Sequence, residues 1–94
     1  MPFALVTTVR IEDPDDAHRQ KYLNEWVIPR LKATAGFQSA RFLRSQDGTT
    51  GVGAVIFDTE SNAKAALDAM ATADRPAEAP KIETTAILEV IREV

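Results

Sequence analysis

The stretch FQSARFLRSQDGTTGVGAVIFDTE, residues 37–60, reads as two strands and the opening of a helix. Phe37, Ser39, Arg41 and Leu43 alternate with Gln38, Ala40, Phe42 and Arg44, the period of a strand over 37–46. Gln46 to Thr50 follows, and its Asp47-Gly48 pair is a hairpin signal. A second strand over 51–58 sets Val52, Ala54 and Ile56 against Gly53, Val55 and Phe57. Thr59 then has the hydroxyl an N-cap needs, and an alanine-rich helix is predicted to run to about Ala73. Its stripe of Ala63, Ala66, Leu67 and Met70 is small enough to lie close on a sheet.

Outward from this hairpin the same grammar repeats. Asp74 to Pro80, with two prolines, is a loop, and Lys81 to Val94 alternates again as a last strand. Upstream, residues 3–12 form a first strand, with Phe3, Leu5, Thr7, Val9 and Ile11 on one side and Ala4, Val6, Thr8 and Arg10 on the other. Asp13-Pro14 is an N-cap followed by proline at the first helical position, and Asp15 and Asp16 suit the positive end of the helix dipole. The helix runs to about Thr34 on a stripe of Leu23, Trp26, Val27 and Leu31, and Ala35-Gly36 closes it. Pro29 lies inside it and is predicted to kink or restart it. The order β-α-β-β-α-β is a ferredoxin-like α+β arrangement with a four-stranded antiparallel sheet, expected as one domain over residues 1–94.

Composition narrows the partners. A net charge of −3 and scattered basic residues do not suit a polyanion, so no nucleic acid is expected. The absence of cysteine removes disulfides, thiolate metal sites and cysteine nucleophiles. Met1 to Val6 is too short for a signal peptide, Arg10 interrupts it, and no apolar run spans a membrane, so a cytoplasmic protein without a membrane partner is expected. The glycines at 48, 51 and 53 fall in the hairpin with no helix directly after them, so turn geometry accounts for them better than phosphate binding.

Two helices cover one face of a four-stranded sheet, yet the first and third strands are apolar on both sides. Leaving about six such side chains wet would forgo burial on the order of 10 kcal/mol, at roughly 1.5–3 kcal/mol each. A homodimer through the sheet faces is therefore expected.

The chain resembles the antibiotic biosynthesis monooxygenase superfamily, the dimeric α/β-barrel proteins. Pro29-Arg30-Leu31-Lys32 leading to Ala35-Gly36-Phe37, then Arg41 to Ser45, then Val55 to Ser61 opening the second helix, carry the resemblance over nearly all of the chain. It implies face-to-face homodimers and a cavity between sheet and helices. It also implies oxidation of a small hydrophobic or aromatic metabolite by molecular oxygen, with no metal or other cofactor. Phe57 stands where enzymatic members carry a tryptophan. Ala65, Ala66 and Leu67 stand where haem-degrading members carry a histidine, which leaves no axial ligand for haem. A non-catalytic ligand-binding or accessory protein is the alternative.

The candidate site residues follow. His18, the single histidine, is a candidate general base or a surface helix residue. With Asp13, Asp15 and Asp16 it could approach a metal, but capping and dipole compensation explain the acids, and no metal site is assigned. Tyr22 and Trp26, one turn apart on one helix face, could stack on a planar substrate or pack as groove aromatics. Arg41 and Arg44 take opposite faces of the second strand. One of them would need Glu83 or Glu89 as a partner, or would clamp a substrate anion, and Arg41 is the candidate substrate-binding residue. Phe57 completes the candidate substrate-binding set.

Overall fold

The computed structural model describes residues 1–13, 15–76 and 79–94. Strands β1 (Phe3–Arg10), β2 (Phe37–Arg44), β3 (Thr50–Phe57) and β4 (Lys81–Glu89) form one antiparallel sheet in the order β2-β3-β1-β4. Helices α1 (Asp16–Tyr22) and α2 (Ile28–Lys32), joined by a π-helical stretch over Leu23–Val27, connect β1 to β2, and α3 (Glu60–Thr72) connects β3 to β4. This is the expected ferredoxin-like α+β arrangement, with the helices on one face of the sheet.

The core sits under α3. Leu5, Val55 and Phe57 of the sheet meet Ala63 and Ala66, and Leu31, Phe37, Leu67, Met70 and Ile87 close around them. Phe57 is wholly buried, and its ring meets Phe37 edge-on at 6.5 Å. The Thr59 hydroxyl accepts the Asn62 backbone N–H at 3.1 Å, which caps α3 as expected. Gly36 holds φ +80, and a side chain there would run into the Asp58 carboxylate and the Asn62 amide. Its carbonyl accepts the Asp58 N–H at 3.0 Å, so the end of the first helical layer is fastened to the start of α3.

Several boundaries differ from expectation. The N-cap of α1 is Asp15, whose carboxylate accepts the Ala17 N–H at 2.9 Å. Asp13 instead accepts the Asp15 N–H at 2.9 Å, one step earlier in the same acidic turn. Pro14, expected at the first helical position, lies outside the described residues, as do Ala77 and Glu78 of the expected loop. The last strand ends at Glu89 rather than Val94: its ladder to β1 closes at the Phe3–Glu89 pair, followed by the Val90 N–H bond to the Pro2 carbonyl.

Two register shifts redistribute side chains between the faces. The β2–β3 register slips between Phe37 and Ser39, so Phe37 joins Ala40, Phe42 and Arg44 on the helix side. The β1–β4 register slips where Thr8 faces Thr84 and Val9 faces Ile82, leaving Glu83 as the extra residue. Ile82 and Ile87, five apart, thereby share the helix side. The opposite face carries Ala4, Val6 and Thr8 of β1, Ala54 and Ile56 of β3, and the exposed Leu43 and Leu88 of the edge strands. Among the described residues, no helix is long and apolar enough to cross a membrane.

Candidate functional site

A cavity of about 430 Å³ separates the first helical layer from the sheet. Its floor is Leu5, Thr7 and Val9 of β1 with Gly51, Gly53 and Val55 of β3. Thr7 faces Gly53 and Val9 faces Gly51 across the ladder, and the side chains of Val9 and Ile11 lie over Gly51 and the Phe42 ring over Gly53, so these neighbours surface the floor where β3 has no side chains. Tyr22, Leu23, Trp26, Val27 and Leu31 form the roof, and Ala66, Ala69 and Met70 of α3 form a side wall. The contrast in side-chain size makes the space. The alanines of α3 let that helix settle on the sheet, whereas the bulky roof side chains hold the first layer off it.

The roof is built on the π-helical stretch. The Ile28 N–H donates to the Leu23 carbonyl five residues back. Pro29 has no N–H for the Glu25 carbonyl, and its ring crowds that oxygen, so the preceding turn widens. The expected proline disturbance thus takes the form of a π turn rather than a break. Tyr22 and Trp26 stack at 5.6 Å between ring centroids and 14° between planes. The Arg30 guanidinium lies 4.1 Å from the Trp26 ring centroid and donates to the Trp26 carbonyl at 3.1 Å.

At one end the cavity meets an outer groove of about 370 Å³, and Ile11, Arg19, Tyr22, Arg75 and Pro80 line both spaces. The Arg75 Nη2 donates to the Pro80 carbonyl at 2.8 Å and reaches the nearly buried Tyr22 hydroxyl at 3.4 Å. Arg75 Nε is buried without a partner among the described residues. Arg19 is held by Asp16 at 2.7 Å, and the same carboxylate oxygen accepts from Arg44.

His18 lines the outer groove. Its Nδ1 lies 2.7 Å from an Asp13 carboxylate oxygen and its Nε2 lies 3.5 Å from Asp15. The Asp13 hydrogen bond, and then the charge of Asp15, raise its pKa above the ordinary 6.5. Asp13 is correspondingly held below the usual carboxylate value, first by the Asp15 N–H and then by His18. Among the described residues these acids and His18 do not form a metal-holding group.

Of the residues singled out from sequence, Tyr22 and Trp26 meet in the cavity roof, and His18 sits outside on the groove. Phe57 and Arg41 lie away from the cavity. Phe57 is on the helix side, but at the end of β3 where α3 and Phe37 cover it completely. Arg41 faces Ala54 on the opposite side of the sheet, exposed. Glu83 and Glu89 are on β4, at the far edge of the sheet from β2, so neither is within reach of Arg41 or Arg44 in one chain. Arg44 pairs instead with Asp16 across the helix side at 2.7 Å. Sequence reading passed over Arg75, an isolated arginine in an alanine- and proline-rich connection. Only the fold brings it to Tyr22, 53 residues away.

This architecture is similar in fold to solved structures described as antibiotic biosynthesis monooxygenases or related monooxygenases. A candidate antibiotic biosynthesis monooxygenase from Bordetella bronchiseptica superposes with a TM-score of 0.65 over 97% of this chain and 98% of its own, at 12% identity. Rv0793 from Mycobacterium tuberculosis gives 0.63 over 99% and 98% at 18% identity. A monooxygenase from the gene ActVA-Orf6 of Streptomyces coelicolor, in complex with the ligand nanaomycin D, gives 0.59 over 98% and 89% at 21% identity. The chain matches no protein-family model and no curated protein sequence.

Proposed function

We propose that this protein binds a small, flat, largely apolar metabolite beneath Tyr22 and Trp26 and oxidises it with molecular oxygen and no added cofactor. The observation that carries the reading is the 430 Å³ cavity roofed by that aromatic stack, a volume within the range that holds small-molecule ligands. The likeness in fold to a monooxygenase solved with a ligand supports the same reading. The substrate would be a phenol or enol. Loss of its acidic proton gives a carbanion-like ring that delivers electrons to oxygen itself. One oxygen atom becomes a new carbonyl on the ring, and the other leaves as water with the displaced hydrogens. The protein's part is to hold the ring flat, keep water out and stabilise the anion electrostatically. His18 on the outer groove is the candidate for taking up the released proton. We further propose that the protein works as a homodimer joined through the open sheet face.

One observation favours a second reading, a non-catalytic binder: among the described residues no histidine or carboxylate lines the inner cavity. Oxygen uptake separates the two. Flat naphthols and hydroxyquinones should raise the melting temperature of the wild type, and turnover should consume oxygen in proportion to substrate lost. Stabilisation without oxygen consumption selects the binder. Failure of every flat compound to stabilise the wild type would remove both readings.

A further inference from the structure

Charge in the cavity is one-sided. Arg19, Arg30 and Arg75 line it, and among the described residues no carboxylate does. Two of the three cations are already engaged. Arg19 is held by Asp16 at 2.7 Å, and Arg30 lies against the Trp26 ring. Arg75 differs. Its hydrogen bonds among the described residues both leave from Nη2, to a neutral carbonyl and a neutral hydroxyl, and its Nε is buried without a partner. A guanidinium beside an apolar chamber, with donors in excess and no carboxylate within hydrogen-bonding reach among the described residues, is electrostatically incomplete, and an oxyanion is the group its planar donor array fits. The neighbouring Tyr22 hydroxyl supplies a further donor at the same end of the chamber.

The geometry points to Arg75 and Tyr22 as an oxyanion-binding pair. The ligand is therefore a flat apolar acid, its ring under Trp26 and its carboxylate, enolate or phenolate oxygen at the Arg75–Tyr22 end. This rests on the proposed ligand cavity and adds the charge of the ligand, the direction in which it lies and the residues that select it. It also moves the anion-recognition role from Arg41, on the other face of the sheet, to Arg75.

The test compares 2-naphthoate with its neutral methyl ester by calorimetric titration. The wild type should prefer the acid by about tenfold, the ratio that one charge-assisted contact of about one pK unit confers. Arg75→Met should bring the ratio to near one. Tyr22→Phe should reduce the ratio in part, and Arg41→Met should leave it as in the wild type. If Arg75→Met does not fold, the wild-type ratio and Tyr22→Phe still decide. A second arm binds 4-nitro-1-naphthol, whose anion absorbs visibly. A fall of about one unit in its bound pKa assigns a phenolate or enolate ligand, and an unmoved pKa beside tight naphthoate binding assigns a carboxylate. Equal wild-type affinity for acid and ester overturns the pair while leaving the cavity reading intact. So does a preference that survives Arg75→Met and disappears in Arg30→Met. Absence of binding by both compounds removes the cavity reading, and the pair falls with it.

Discussion

Asp13 and His18 form a contact whose protonation can be read directly. The Asp13 hydrogen bond and the Asp15 charge raise the His18 pKa, so the imidazolium is favoured in the folded chain. The stabilisation this lends is complete below pH 6.5 and is lost as pH climbs through the raised folded value. The imidazole proton resonances of His18 should titrate above 6.5, and in Asp13→Asn the midpoint should drop back toward it. An identical midpoint in the two proteins would show that the contact does not persist in solution. Phe57 makes a different demand. Its ring is fully enclosed between Phe37 and α3, so Phe57→Ala should cost about 3–5 kcal/mol in urea unfolding, a packing loss rather than a binding loss. A cost below about 1 kcal/mol would return Phe57 to the substrate-binding role that its position in the sequence suggested. Tyr22 and Trp26 were legible because helical spacing fixes which side chains share a face. Phe57 was not, because strand alternation gives the face and not what lies over each end of it. Arg75 was silent because nothing in Asp74-Arg75-Pro76 marks a residue that tertiary structure will place at a cavity.

Helix and strand order was written plainly, since apolar periodicity, the Asp47-Gly48 turn and the Thr59 cap are all local signals. Gly48 takes φ +77 as that turn requires. The Asp47 carboxylate is held down to about 2 by the Ser45 hydroxyl first, then by the Thr49 N–H and hydroxyl. The β-bulges were hidden, because an extra residue at Gln38 or Glu83 leaves composition unchanged and shows only when partner strands are aligned. They nonetheless shape the site, since without the second one Ile82 would turn away from the cavity. Pro29 signalled a disturbance but not that the chain would absorb it as a π turn. Among these devices the α3 cap offers the cleanest measurement. Thr59→Ala removes the single side-chain acceptor for the Asn62 N–H and should lower stability by about 1 kcal/mol, within a range of roughly 0.5–2, while Thr59→Asp keeps it. Because α3 packs on the core and walls the cavity, the loss should appear in global denaturant unfolding and not as local fraying alone. If unfolding curves of Thr59→Ala and wild type superimpose, capping contributes nothing to this helix.

At the scale of the whole molecule, helices occupy one side of the sheet and leave the other to be covered. Val6, Ala54 and Ile56 form the middle of that open face, with Leu43 and Leu88, each more than half exposed, toward its edges. Strands about 4.8 Å apart and about 3.4 Å per residue make a four-strand, eight-residue face roughly 19 Å by 27 Å, or about 500 Å² on each chain. Two such faces together reach about 1,000 Å², close to the lower bound for a specific interface, so a homodimer is sufficient to cover the face but has little area in reserve. A two-fold axis presents every residue of the patch twice, so one substitution introduces two changes. Ile56→Glu would set two carboxylates into an apolar contact with no cation opposite either in the chain's own register, where Ala4 and Ser39 flank position 56. Burying unpaired charge costs several kcal/mol, and each 1.4 kcal/mol is tenfold in affinity, so the dimer dissociation constant should rise by at least about a hundredfold. Sedimentation equilibrium should find wild type as a dimer and Ile56→Glu as a monomer with unchanged circular dichroism, since position 56 does not enter the core under α3. A wild type that sediments as a single chain at millimolar concentration would mean that this sheet face meets water, and the homodimer would have to be abandoned.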